Sequence, residues 1–385
     1  MTLIVGDAVD YLSLVRPSGA ACFDADGLLQ IAAPNVLRFD HDPVTKAVRG
    51  ALLEDTATNL FDASDWTDAA TTYGTVMPAQ AAGPDGTDTL ALITSTALNG
   101  GVAKTVSVPA GDGLTRTASL HFRKGTADTH RLDIGYFGGP APYRSASTYF
   151  DGATGEVSGD GGVIDCGGGL YRLWVALDNE VADEHNVCQI VSNVIGASGS
   201  TAYTGDLQIE LGSYPTSCVK TTDGAATRAA DVASLSVAGM SLDKGFIAFE
   251  ALAAPGSSVL MMANLDGGSI NENGAFRFSV DGEGEYFYTA TPEGTEKSLR
   301  RLGAGLDLTA PVRAAFTWDG DTIWSTVNGL EPVSDTISTA AGSFDFARLL
   351  LGRGSWVTNS ACWMKRVLLL PRRATTDEMK AVFAS

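Results

Sequence analysis

Short runs in which apolar and polar residues alternate fill this chain, and Gly, Pro, Asn or Asp closes almost every one. Residues 102–108 (VAKTVSV), 114–122 (LTRTASLHF), 275–280 (AFRFSV) and 322–327 (TIWSTV) show the pattern. A period of two sends successive side chains to opposite faces, so each run specifies a strand with one buried side. Turn residues about every ten positions between such strands are the mark of an all-β sandwich. Coiled-coil heptads and collagen repeats are absent from the sequence.

Residues 208–231, QIELGSYPTSCVKTTDGAATRAAD, divide the chain. They open as a strand, with Leu207, Ile209 and Leu211 alternating against Gln208, Glu210 and Gly212. They close as a turn-rich connector through Thr221, Thr222, Asp223 and Gly224. Sandwich patterns precede this stretch and restart after it. The expected fold is all-β: two tandem jelly-roll β-sandwiches, residues 59–228 and 229–385, preceded by an extended N-terminal arm, residues 1–58. Within the arm, Pro17, Gly19, Gly27, Pro34 and Pro43 interrupt the apolar pieces too often for an independent core.

In the first sandwich the pattern predicts strands at 89–93, 102–108, 114–122, 131–136, 146–150, 155–157, 169–177, 187–194 and 205–211. In the second it predicts strands at 246–252, 259–263, 275–280, 285–290, 312–318, 322–327, 349–351 and 363–370. Asp319-Gly320 reads as a hairpin turn, and Asn328-Gly329 is a dipeptide of the kind two-residue hairpins need. A short helix is expected at 376–383, capped by Thr375 or Thr376, with Asp377 and Glu378 in its first turn.

The formal net charge of −19 argues against nucleic acid and against an anionic membrane surface, since both need Lys and Arg clusters. Five scattered cysteines (Cys22, Cys166, Cys188, Cys218, Cys362) form no C-x-x-C, so they read as small buried hydrophobes in a reducing compartment rather than a zinc site. The first residues carry no basic stretch, and Asp7 and Asp10 interrupt their apolar run, so no secretory signal is expected and synthesis is expected in the cytoplasm. No apolar run reaches membrane-spanning length.

Several motifs, in order, resemble those of bacteriophage tail and fibre proteins. Arg38-Phe39-Asp40, Asp42-Pro43, Arg49-Gly50, Leu52, Glu54 and Thr58-Asn59-Leu60 match a lead-in of that family. Pro84-Asp85-Gly86-Thr87 and Lys124-Gly125 match its first module. Gln208, Glu210, Gly212, Thr216-Ser217, Gly224 and Thr227-Arg228-Ala229-Ala230-Asp231 match its connector, although Cys218-Val219-Lys220 replaces the usual Tyr-Ile-Pro. Phe316-Thr317-Trp318-Asp319-Gly320, Val327-Asn328-Gly329, Leu351-Gly352-Arg353 and Pro371-Arg372 match its last module. The resemblance implies a carbohydrate-binding-module-like jelly roll followed by a concanavalin/laminin-G-like one, with the N-terminal arm facing the particle.

The candidate enzymatic feature is Asp281, Glu283 and Glu285. Acids at period two share one face of a strand, as glycoside hydrolysis by paired carboxylates requires. Gly282 and Gly284 between them, and alternating runs on both sides, make a hairpin tip the expected reading. Asp40, His41 and Asp42 are a metal-site candidate, but Asp42-Pro43 reads as a turn opening, the expected reading. Asp183-Glu184-His185 reads as an exposed loop. A structural calcium is a candidate for Asn264, Asp266, Asn271 and Asn273, read as a loop after Ala263.

Sugar binding needs an aromatic platform with polar neighbours. Tyr136, Phe137, Tyr143, Arg144 and Tyr149 form one candidate cluster, and Arg353, Trp356 and Asn359 form the other. The expected protein is a non-enzymatic virion fibre or spike component, of a phage or gene transfer agent, on the particle surface. It would bind host surface polysaccharide, contact other virion proteins through the arm, and form a homo-oligomer. The alternatives are a purely structural decoration or assembly protein and a glycan depolymerase.

Overall fold

The computed structural model describes residues 12–236, 244–254, 259–266, 275–281, 286–291, 299–301, 307, 309–320, 322–336, 348–351 and 361–382. The N-terminal part holds β1 (Leu12–Val15), β2 (Ala20–Phe23), β3 (Leu29–Ala32), β4 (Phe39–His41), β5 (Val48–Glu54) and β6 (Ala57–Asn59). Next come β7 (Ala70–Thr72), β8 (Gly74–Ala82), β9 (Asp88–Ser95), β10 (Gly100–Ser107), β11 (Thr115–Lys124) and β12 (Thr129–Phe137). They are followed by β13 (Arg144–Asp151), β14 (Val157–Gly159), β15 (Gly161–Asp165), β16 (Leu170–Asp178), β17 (Val187–Ile195) and β18 (Thr201–Leu211). The rest holds β19 (Ala226–Arg228), β20 (Val232–Ser236), β21 (Lys244–Ala253), β22 (Val259–Asp266), β23 (Ala275–Asp281) and β24 (Tyr286–Thr291). It ends with β25 (Leu299–Arg301), β26 (Val312–Asp319), β27 (Thr322–Val327), β28 (Val333–Thr336), β29 (Arg348–Leu351), β30 (Ala361–Leu370) and α1 (Thr376–Ala381).

The expected all-β fold is present. β7 to β18 make two six-stranded antiparallel sheets, β14-β13-β12-β17-β10-β7 and β15-β16-β11-β18-β9-β8. Their inner faces bury Leu120, Phe122, Leu132, Ile134, Tyr136, Phe150, Leu173, Ile190 and Leu207 in one core. These residues sit at alternate positions of the predicted strands, which is why the pattern located them. The edge strand β8 was not predicted. Pro78 interrupts its pattern, and its register breaks between Met77 and Ala81, as an edge strand tolerates.

Two seven-stranded sheets make the second sandwich: β1-β20-β29-β22-β23-β24-β25 and β28-β27-β26-β21-β30-β5-β4. Both recruit strands from the region expected to be an arm. β1 pairs with β20, Leu14 opposite Ala233, and β5 pairs with β30, Leu53 opposite Cys362. β1, β4 and β5 are therefore built into these sheets rather than a free arm, while β2 and β3 pair with each other. The pieces between the breakers are too short to form a core alone, so they take hydrogen-bond partners at edges that would otherwise be open.

Where these strands meet the connector, a charge cluster is buried. Arg16 Nη1 donates to Asp231 Oδ1 at 2.7 Å, Arg38 Nη2 donates to Asp231 Oδ2, and Arg38 Nη1 donates to Glu54 Oε2 at 2.8 Å. Ser217 reinforces Glu54 through its N–H (2.8 Å) and its hydroxyl (2.6 Å). Arg38, Glu54, Ser217 and Asp231 come from the lead-in and the connector, so the two motifs close on each other in space.

The expected tight hairpin joins β26 to β27, with Asp319 opposite Thr322. Asn328-Gly329 instead starts a wider return in which Ser325 faces Val333. α1 carries a full capping box between Thr375 and Glu378. All five cysteines are free, and four are buried. Asn264 and Asp266 belong to β22, which runs past the expected loop start at Ala263, while Asn271 and Asn273 lie outside the described residues. Asp281 ends β23, and Val280 pairs with Tyr286 across the expected hairpin; Glu283 and Glu285 lie outside the described residues. Among the described residues, no cluster of His, Cys, Asp or Glu is placed to hold a metal.

Candidate functional site

The two outer faces of the first sandwich differ. On the β11/β16/β18 sheet the outward residues Ser119, His121, Arg172, Gln208 and Glu210 are polar yet buried. The connector lies across them. Thr216 donates its N–H (2.9 Å) and hydroxyl (2.6 Å) to Glu210, and Val219 donates its N–H to Gln208 Oε1 (2.7 Å). Phe23 covers the same face further along, against Leu90, Cys166 and Leu170.

The outer face of the other sheet carries a polar centre and exposed aromatics. In β12, His130, Leu132, Ile134 and Tyr136 turn inward, leaving Arg131, Asp133, Gly135 and Phe137 outward. Asp133 is the centre, 6% exposed. Its Oδ1 accepts from Ser147 Oγ (2.7 Å) and its Oδ2 from Asn193 Nδ2 (2.8 Å), while Arg131 Nε lies 3.0 Å from Oδ1. Burial raises the Asp133 carboxyl above its usual range, against the opposing pull of Ser147, Arg131 and Asn193.

Tyr143 stands over this centre, 52% exposed. Its ring centroid is 6.3 Å from that of Phe137. Gly135 is required beneath it, because a Cβ there would fall 2.1 Å from the Tyr143 hydroxyl. The loop leading to Tyr143 is clipped by His185. Gly139 N–H donates to Nδ1 (3.3 Å), so the ring proton is on Nε2, which donates to Pro142 O (3.1 Å). His185 is fully buried, contrary to the exposed-loop expectation, because the loop folds over it. Tyr149 flanks the platform, with the Arg131 guanidinium 5.9 Å from its ring centroid.

Of the expected cluster, Phe137, Tyr143 and Tyr149 share this face. Arg144 sits at its rim, bonded to Glu180 at 3.0 Å. Tyr136 is a correction: its ring is in the core and its hydroxyl donates to Leu177 O (3.2 Å). It falls in register with the inward residues of β12, and burial raises its phenol. Arg353, Trp356 and Asn359 lie outside the described residues. Sequence reasoning missed Arg131, Asp133, Ser147 and Asn193. For the first three the signal was present, since alternation in RLDIGYF and RSASTYF puts each opposite a core residue. Asn193 becomes a neighbour only through the β12/β17 pairing.

The fold thus defines an antiparallel all-β protein built of sandwiches, one of which has a covered and an open face. No protein-family model and no curated protein sequence matches the chain. Among solved structures it is similar to the Ruminococcus gnavus IT-sialidase CBM40 bound to α2,3-sialyllactose, at 15% identity over 37% of this chain and 84% of that one, TM-score 0.32. It is also similar to the galectin LEC-6 of Caenorhabditis elegans, at 17% identity over 34% and 88%, TM-score 0.26. The NanB sialidase of Streptococcus pneumoniae matches at 16% identity over 38% of this chain and only 26% of its own, TM-score 0.32. Scores this low carry no inference about function.

Proposed function

We propose that this chain binds a cell-surface polysaccharide on the open β12/β13/β17 face without cutting it, as a fibre or spike component of a phage or phage-derived particle. The observation that carries the reading is the half-exposed Tyr143 ring beside a hydrogen-bonded polar floor. An aromatic face takes the C–H side of a pyranose, and Arg131, Ser147, Asn193 and the Tyr143 hydroxyl can meet its hydroxyls. Cleavage needs two carboxylates across the scissile bond, one of them available to move a proton. Asp133 has both oxygens taken by side-chain donors, which favours binding over hydrolysis. The particle role rests on the order of motifs in the sequence. The exposed aliphatics Val15, Ile31, Val36 and Val48 of the N-terminal part support assembly contacts there, with sister copies or other particle proteins.

The test is titration of capsular and lipopolysaccharide glycans from candidate hosts, with a reducing-end assay on the same samples. Saturable binding without new reducing ends is expected, and Tyr143→Ala should weaken it at least tenfold with an unchanged melting temperature. New reducing ends would move the reading to a depolymerase. Absence of binding to every glycan would leave the structural role.

A further inference from the structure

A cleft of about 350 Å3 opens where the N-terminal strands, the covered sheet, the connector and β30 meet. Apolar side chains make much of its wall, among them Phe23, Leu52, Ile164, Tyr214, Pro215 and Trp363. Three carboxylates line the wall, Asp40, Glu54 and Asp55, and two of them, Asp40 and Glu54, are filled. Asp40 accepts from Phe23 N–H (2.7 Å) and Trp363 Nε1 (2.7 Å), and Glu54 accepts from Ser217 and Arg38.

The two arginines are not. Arg172, 6% exposed, uses Nη1 on Thr216 O (2.6 Å) and Nη2 on Ser119 Oγ (2.9 Å), while its buried Nε–H has no partner. Arg49 lies over the Trp363 ring, 5.1 Å from its centroid, and uses Nη2 on Asp42 (2.9 Å). Its Nη1 stays 3.8 Å from Asp40, beyond hydrogen-bond reach. Arg49 thus keeps donors free for an acceptor from outside, and the charge of Arg172 is buried in the same wall. An ionised acceptor makes the stronger bond to a guanidinium.

We propose that this cleft binds one small amphiphilic carboxylate, its acid group on Arg49 in the field of the buried Arg172 charge and its apolar body against Leu52, Ile164, Tyr214 and Trp363. The volume falls in the range of small-ligand sites, about 300–1,000 Å3. A sugar acid fits poorly, because its hydroxyls would be desolvated against apolar walls. The site is separate from the open sheet face and stands independently of the glycan reading.

Calorimetric titration of the full chain with octanoate, octanamide and glucuronate tests it. Octanoate should bind saturably at a single site, octanamide at least tenfold more weakly, and glucuronate not at all over the same range. Arg49→Gln should weaken octanoate at least tenfold, and Ile164→Trp, which fills the cleft from its apolar side, should abolish binding. Tyr143→Ala should leave it unchanged. No saturable octanoate binding, equal affinity for acid and amide, glucuronate binding as tight as octanoate, or full affinity in Ile164→Trp would each overturn the proposal.

Discussion

Glu54 is a carboxylate that burial alone would push towards its neutral form. Arg228, Arg38 and two bonds from Ser217 outweigh that, and its carboxyl titrates at about 2. Removing one partner from such a buried network leaves the others uncompensated, at about 3–5 kcal/mol. Glu54→Gln should therefore lower the urea midpoint sharply at pH 7; a midpoint within experimental error of the parent would contradict the cluster's role. His130 works in the same pH direction. Its ring stacks on Phe122 at 4.9 Å between centroids, and burial lowers it from 6.5 to about 4. Its folded value lies below its unfolded one, so its contribution is complete above pH 6.5 and is lost as the pH falls through about 4. That shift corresponds to about 3 kcal/mol. The difference in unfolding free energy between the parent and His130→Phe should change by this order between pH 7 and pH 4, and a pH-independent difference would contradict it.

At the scale of elements, alternation located most strands of the first sandwich, missing β7, β8 and β15, and the paired β23 and β24 around the acidic tip. It could not reveal which edges the N-terminal strands join. Leu53 finds Cys362 and Leu14 finds Ala233, and no local pattern encodes pairing across such distances in sequence. Proline and glycine breakers made these pieces look like a free arm, whereas β1 ends one seven-stranded sheet and β5-β4 end the other. Deleting residues 1–58 should expose β20 and β30 as open edges and leave Asp231 without Arg16 and Arg38. The truncated chain is expected to aggregate in size-exclusion chromatography and to lose protease resistance in residues 229–385. A monodisperse, resistant product would show that the strands are dispensable.

For the whole molecule, the asymmetry of the first sandwich matters most. One sheet hides a polar outer face under the connector, and the other leaves Tyr143 exposed beside the buried Asp133 network. Sequence reading found the aromatic stretch because a Gly/Pro-rich segment with so many rings cannot bury them all. It placed Tyr136 among them wrongly, since strand parity decides that residue, and it overlooked Asp133, whose partners arrive from two neighbouring strands. The seam cleft left no signal in the sequence, because its walls come from stretches scattered between Ala21 and Trp363. The most direct test of the proposed binding face is hydrogen–deuterium exchange of the full chain with and without a bound host polysaccharide. Protection should appear in β12, β13 and β17 and be absent from β11, β16 and β18. Protection confined to the second sandwich, or none on β12 and β13 at saturating glycan, would contradict it.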